Sequence, residues 1–186
     1  MRRFGLYLLV MFSLVLGACS SPAPKALSAQ LDDLFSRLRT AASAEEAEVI
    51  QFTIQHVWAQ HKDPDIRTLM RHTVGAVHRG DYDAALTMLD EVVRRDPHFL
   101  EGWYLRSRVY LALEDYSQAI GDIEKVLALE PRHFGALVGL GRIFSALGDQ
   151  KAALGAYEAA LAVNPHLQEA REEARPLRDA VLGVAI

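Results

Sequence analysis

From Ser28 onwards, apolar residues recur at intervals of three and four, which is the spacing of amphipathic helices. The clearest example is the segment 100–133, where two short apolar stripes flank the turn Glu114-Asp115-Tyr116. Pro131 ends the second stripe, because proline lacks a backbone donor and blocks helix continuation. A single hairpin of this length leaves an apolar face uncovered, so we expect copies of it on both sides.

The copies are present in the sequence. Pro97, Pro131 and Pro165 are spaced 34 residues apart. Alignment on these prolines gives three units, which are 66–99, 100–133 and 134–167. Two small-residue positions coincide between the units, namely Thr73/Ser107/Gly141 and Ala85/Ala119/Ala153. We expect the small residues to let the two helices of a unit approach closely, and the larger Leu69/Trp103/Leu137 position to fill the space between units.

The period and the central turns Gly80-Asp81-Tyr82, Glu114-Asp115-Tyr116 and Gly148-Asp149-Gln150 resemble the tetratricopeptide repeat (TPR) family over about residues 66–167. This resemblance implies an all-α fold, a right-handed α-solenoid of antiparallel helix hairpins with one concave face. Gly80 and Gly148 suit the left-handed backbone of a tight turn, whereas Glu114 in the same place predicts strain.

The units also depart from the family pattern. The first unit has Ala76 where an aromatic residue is usual, and His72 and Arg106 stand where Leu is common. These departures predict looser packing in the first unit.

Two further segments flank the three units. Residues 28–65 predict an N-terminal helical hairpin, in which Leu31, Leu34, Phe35 and Leu38 share one face. Its second helix opens with a Ser43/Glu46 capping box. The apolar stripe on this helix consists of Val49, Ile50, Thr53, Ile54, Val57 and Trp58. We interpret the hairpin as a divergent packing unit, with a degenerate fourth repeat as the alternative.

Residues 168–186 predict a polar C-terminal capping helix that Pro176 kinks or ends, followed by an apolar tail. The tail either packs back onto the last repeat or contacts a second subunit.

The start of the chain has a different character. Arg2 and Arg3 precede an apolar run, Phe4–Leu16, which is too short to span a membrane and is typical of a signal peptide. Leu16-Gly17-Ala18-Cys19 resembles a bacterial lipobox. We therefore predict a signal peptide at 1–18, and a lipidated Cys19 with a linker at 19–27. The alternatives are an uncleaved anchor and a chance cysteine beside an ordinary cleavage site.

A lipobox implies a lipoprotein of the bacterial cell envelope that faces the periplasm. Ser20 after the cysteine favours the outer membrane over the inner one. Acylation of Cys19 would supply the two or more chains that stable anchoring requires. Cys19 is also the single cysteine, which excludes an intramolecular disulfide.

Charge argues against nucleic acid as a partner. The chain has 20 basic and 24 acidic residues. Removal of residues 1–18, with Arg2 and Arg3, leaves 18 basic residues and a net charge of −6. Binding to a phosphate backbone requires clustered positive charge, so we expect no nucleic-acid interaction.

We find no motif for catalysis or for a metal. His56 and His61 are five residues apart and do not share the face that helical metal pairs use, and His72 and His78 are six apart. A phosphate loop, a nucleophile elbow and a Cys/His cluster are all absent from the sequence. We predict no enzyme, metal or cofactor, and an enzyme with an unrecognised site is the remaining alternative.

The TPR resemblance implies that the first helix of each unit lines a peptide groove. The corresponding residues are Met70, Val74, Val77, His78, Tyr104, Arg108, Leu111, Val138, Arg142 and Ser145. Arg108 and Arg142 lie one repeat apart and could together bind a carboxylate, with two ordinary surface charges as the alternative. TPR domains that bind chaperone tails use asparagines beside basic residues, and these positions contain none, which argues against that ligand.

Together these features predict a membrane-anchored TPR module that binds a protein or peptide partner as an envelope adaptor or assembly factor. The alternative is a self-assembling envelope scaffold, a homo-oligomer formed through the apolar tail or the ends of the array.

Overall fold

The computed structural model of the protein describes residues 24–183. Within this range the chain forms nine α-helices and no β-strand, which confirms the predicted all-α helical-repeat fold. The helices are α1 (Pro24–Thr40), α2 (Ala44–Ala59), α3 (Pro64–His78), α4 (Tyr82–Arg95), α5 (Leu100–Ala112), α6 (Tyr116–Leu129), α7 (Phe134–Ala146), α8 (Gln150–Val163) and α9 (Gln168–Leu182). None of them is long and apolar enough to cross a membrane. The predicted signal peptide, Cys19 and residues 184–186 lie outside the described residues.

The three units are the helix pairs α3/α4, α5/α6 and α7/α8. Both small-residue positions are buried in all three units, as predicted. In the third unit, a Cβ atom on Gly141 would lie 2.5 Å from Cε1 of the buried Tyr157 ring. The smallest residue at this position therefore makes room for the largest side chain on the facing helix.

The turn inside each unit contains one residue in the left-handed backbone conformation, and an aspartate that caps the second helix follows it. The φ angles are 74° at Gly80, 58° at Glu114 and 79° at Gly148. The next residue, an aspartate in every unit, accepts a hydrogen bond from a backbone N–H in the first turn of the second helix. Glu114 thus holds a conformation that glycine adopts without a Cβ penalty, as the sequence predicted.

We expect Glu114→Gly to raise the free energy of unfolding by about 1 kcal/mol, because the left-handed conformation costs other residues roughly that amount. Urea denaturation measures the effect, and Gly148→Ala is the matched control, which should lose a similar amount. A lower denaturation midpoint for Glu114→Gly would contradict the strain argument.

Arg106, which stands where Leu is common in the family, forms a buried ion pair with Asp122. Its Nε and Nη2 atoms donate to the two carboxylate oxygens of Asp122, each at 2.7 Å. Its Nη1 donates to Asp90 of the preceding unit at 2.7 Å. The side chains of Arg106 and Asp122 are only 15% and 6% exposed. Hydrogen bonds to Asp122 hold the Arg106 pKa above its ordinary value. An arginine in place of leucine on α5 is therefore matched by an aspartate on α6.

Trp103 packs against a core cluster formed by α6 and α7, which agrees with the expectation that it fills space between units. The side chain is only partly buried. Its Nε1 donates to the carbonyl oxygen of Pro97 at 2.9 Å, and the Arg106 guanidinium lies 4.8 Å from the ring centroid. Trp103 therefore covers the Arg106 ion pair from the solvent side.

The α1–α2 hairpin lies across the array rather than in line with it. Its main contacts outside the hairpin are with α8 and α5, not with the neighbouring α3. Leu38, Ile54 and Trp58 form one core cluster with Phe134, the first residue of α7. The hairpin is therefore joined to the middle and the far end of the array.

The loop that ends each unit is hydrogen-bonded to at least one residue of the N-terminal segment. His61 Nε2 donates to Asp96 at 3.0 Å, because its Nδ1 accepts from the Asp63 backbone. In the next loop Arg132 donates to Asp32 at 2.7 Å. In the third loop Asn164 donates to Gln51 at 2.8 Å.

Two details of the hairpin differ from the sequence prediction. Ser43 accepts a hydrogen bond from the Glu46 N–H as predicted, but the Glu46 carboxylate accepts from the Ala42 N–H instead of closing the capping box on Ser43. Val49 is 68% exposed, so its place in the apolar stripe is wrong. The buried stripe begins at Ala47, one turn before Ile50.

The capping helix α9 packs on α8 through Ala170 and Ala174, which are buried. It runs through Pro176 to Leu182, so this proline does not end the helix. The orientation of the apolar tail remains a prediction, because residues 184–186 are not among the described ones.

Candidate functional site

Helix α2 and the first helices of the second and third units, α5 and α7, enclose a cleft. It consists of two adjoining cavities of about 270 Å³ and 380 Å³ that share Gln55, Tyr104, Arg108, Phe134 and Gly135. We call it the α2 cleft. Its other principal lining residues are Gln51, Phe52, His56, Trp58, Glu101, Leu111, His133, Val138, Arg142, Leu167 and Glu169.

The structure brings together half of the predicted groove residues. Those that line the α2 cleft are Tyr104, Arg108, Leu111, Val138 and Arg142, all from the second and third units. The remaining five do not line it. Met70 and Val77 pack against the core of the first unit, while Val74, His78 and Ser145 are exposed.

The two arginines have different surroundings. Arg142 Nε donates to Glu169 of α9 at 2.6 Å, so its charge is already neutralised by a surface ion pair. Arg108 has no ion-pair partner among residues 24–183. Its guanidinium lies 5.9 Å from the centroid of the Tyr104 ring, and it lines both cavities of the cleft. Arg108 is therefore the cation in this cleft that is available to an anionic ligand.

Tyr104 forms the central wall of the cleft. Its ring lies 4.4 Å from the His133 ring, centroid to centroid. Gly135 leaves space for the phenol, since a Cβ atom there would collide with the Tyr104 hydroxyl oxygen. Burial raises the pKa of Tyr104 above its ordinary value, while the Arg108 charge acts in the opposite direction. Tyr104 is therefore a neutral hydroxyl at physiological pH.

Trp58 and His133 stack beneath the second cavity, with ring centroids 4.2 Å apart and planes 15° apart. His133 Nδ1 accepts from the Ala136 N–H at 3.0 Å and so caps α7. The neutral ring therefore carries its proton on Nε2. Neither this atom nor Trp58 Nε1 has a hydrogen-bond partner within the described part of the chain, although both are buried. Each is an N–H donor that an acceptor atom would satisfy.

The other histidines in contact with the hairpin have structural partners. His61 bonds to Asp96, His56 pairs with Gln60 at 2.8 Å, and His166 bonds to the Ala41 carbonyl oxygen at 3.1 Å. Across residues 24–183, no three His, Cys, Asp or Glu side chains are placed to hold a metal ion.

Sequence reasoning missed the contribution of α2 to the site. Gln51, Phe52 and Gln55 line the cleft from a helix that lies outside the repeats. One signal was available, because Phe52 falls outside the apolar stripe that we assigned to this helix. A large apolar residue on the polar face of a short helix points to a second contact surface.

Comparison with known proteins agrees with the helix arrangement. The family model described as "Tetratricopeptide repeat" matches residues 75–122 and 104–174, which together exceed half of the chain. No curated protein sequence is significantly similar to the chain.

Many solved structures share the fold. The first TPR of Spaghetti (RPAP3), bound to the HSP90 peptide SRMEEVD, is 24% identical with a TM-score of 0.60 and covers 63% of this chain and 93% of its own. The TPR2B domain of yeast Sti1, in a pHsp70 complex, is 18% identical with a TM-score of 0.57 and covers 65% and 99%. The MamA protein is 19% identical with a TM-score of 0.58 and covers 86% and 88%. At these identities the likeness concerns the fold alone.

Proposed function

The chain belongs to the tetratricopeptide repeat family, and we propose that it is an interaction module that binds a peptide segment of a partner protein in the α2 cleft. The observation that carries this proposal is the position of Arg108. It lines both cavities beside Tyr104 and has no ion-pair partner among residues 24–183. A guanidinium in a partly apolar cleft favours a ligand with a carboxylate, because it offers a planar set of donors.

Two structural neighbours support a peptide as the ligand. The first TPR of Spaghetti is bound to an HSP90 peptide, and the Sti1 domain is in a complex with pHsp70. The chaperone tails themselves are not the ligand that we propose. The single asparagine of this sequence, Asn164, is buried, donates to Gln51 and does not itself line the α2 cleft.

Site-specific photocrosslinking in the native cell tests the proposal. A photoreactive residue at Leu111 should capture a partner, because Leu111 lines the cleft. The matched position is Leu147, which is 56% exposed but lies outside the cleft and should not capture the same partner. Arg108→Glu should weaken capture at Leu111. Equal capture from both positions would refute peptide binding in the cleft.

We also propose that the module is attached to a membrane of the bacterial cell envelope through acylated Cys19, facing the periplasm, with the outer membrane favoured. The support is the segment Leu16-Gly17-Ala18-Cys19 together with the preceding basic and apolar residues. An anchor would concentrate the cleft at the membrane surface, where an adaptor or assembly factor acts on its partner.

Metabolic labelling with a fatty-acid analogue tests the anchor. The label should appear on the wild-type protein and on Ser20→Ala, and it should be absent from Cys19→Ala. Unlabelled Cys19→Ala should also leave the membrane fraction. Labelling that persists without Cys19 would exclude this site of attachment.

A further inference from the structure

Phe52 is a large apolar side chain without a packing partner of its own size. It is 69% exposed on α2, and within residues 24–183 its one aromatic contact is His56, 6.3 Å away between ring centroids. It also lines the second cavity of the α2 cleft. Val49 lies one turn earlier and is equally exposed at 68%, but it does not line either cavity.

The second cavity is walled by aromatic rings. Phe52 stands at its edge, and Trp58, Tyr104, His133 and Phe134 form its floor and far wall. We call these five residues the aromatic pocket. Its volume of about 380 Å³ lies within the range of ligand pockets, ~300–1,000 Å³. Aromatic walls of this kind favour an aromatic guest, because ring pairs add attraction beyond the burial of area.

At the aromatic pocket, positive charge and N–H groups outnumber the acceptors that could pair with them. Arg108 lines it without an ion-pair partner among the described residues. The N–H groups of Trp58 and His133 are buried and unpaired, and the only carboxylate in the lining, Glu101, stays 4.0 Å from His133 Nε2. The positive charge of Arg108 therefore remains available in the pocket, and a guest with a carboxylate complements it.

We propose that the aromatic pocket takes an aromatic side chain of a partner peptide and that an adjacent Asp or Glu of the same peptide binds Arg108. This inference rests on the proposed function and names its ligand class. Phe52 closes over the guest ring, so the α1–α2 hairpin supplies specificity that the repeats alone do not have.

A peptide display experiment tests the proposal. Random seven-residue peptides are selected for binding to residues 20–186. Sequences that pair an aromatic residue with Asp or Glu should be enriched. A synthetic peptide of that type should bind Phe52→Ala about tenfold more weakly, and Arg108→Gln about tenfold more weakly. Val49→Ala should bind it unchanged. Both α2 side chains are mostly exposed, so thermal unfolding should show that these two variants fold as the wild type does.

The outcomes separate the two proposals. Enriched peptides that lack an aromatic residue, or that bind Phe52→Ala as tightly as the wild type, overturn the aromatic pocket. If those peptides are still weakened by Arg108→Gln, peptide binding in the α2 cleft survives. Failure to enrich any sequence overturns both.

Discussion

Replacement of Trp58 by alanine should lower the free energy of unfolding by about 3–5 kcal/mol, the range for truncating a large aromatic core residue. Trp58 is 5% exposed. Its ring contacts Phe35, His133 and Phe134, with centroid distances of 5.9, 4.2 and 5.3 Å. It therefore joins both helices of the hairpin to the start of α7, and its removal opens a cavity between them.

The second tryptophan is the natural control. Trp103 is only partly buried and makes one hydrogen bond, so Trp103→Ala should cost about 1–2 kcal/mol. Trp58→Phe should lose less than Trp58→Ala, because it keeps the ring contacts and removes the unpaired N–H. Denaturant unfolding compares the three variants. A larger loss at Trp103 than at Trp58 would show that the hairpin is not docked as described.

Removal of one partner from the Arg106–Asp122 pair should also lower the free energy of unfolding strongly. Asp122→Ala should cost about 3–5 kcal/mol, because it leaves a mostly buried guanidinium with only the exposed Asp90 as partner. The desolvation of Arg106 is then no longer offset by its two hydrogen bonds to the buried Asp122. Chemical denaturation at neutral pH measures the loss.

The third unit suggests a second replacement that should restore the stability lost in Asp122→Ala. At the positions of Arg106 and Asp122 it carries Leu140 and Ala156, one repeat later. The double variant Arg106→Leu with Asp122→Ala should therefore unfold within about 1 kcal/mol of the wild type, because apolar replacement of a buried pair is often neutral. A double variant as unstable as Asp122→Ala would mean that the two residues do not act as a pair.

The sequence predicts the repeats well because their contacts are local and periodic. The 34-residue spacing places α3 to α8, and the burial of Ala85, Ala119 and Ala153 follows from it. The left-handed turn at Glu114 follows by the same logic. A repeat gives three examples of each position, so a single unusual residue stands out against two ordinary ones.

The same comparison fails where a residue has partners that occur in one unit alone or that lie outside the repeats. Trp103 occupies a core position in the pattern, but Arg106 and Asp122 take the interior beside it. Arg142 lies one repeat after Arg108, yet Glu169 of α9 neutralises only Arg142. The docking of the hairpin depends on contacts between residues about one hundred positions apart, and no local spacing encodes them.

The position of the hairpin also determines when the chain can finish folding. Asp32 bonds to Arg132 and Ala41 to His166, which are 100 and 125 residues later. A chain that emerges N-terminus first therefore exposes the hairpin before its docking surface is present. Each TPR unit can form quickly, because its contacts are nearby in the chain. Helices α1 and α2 precede the repeats in the chain but are covered last. Until they are covered, the apolar side chains of Leu38, Ile54 and Trp58 remain open to aggregation or to a chaperone.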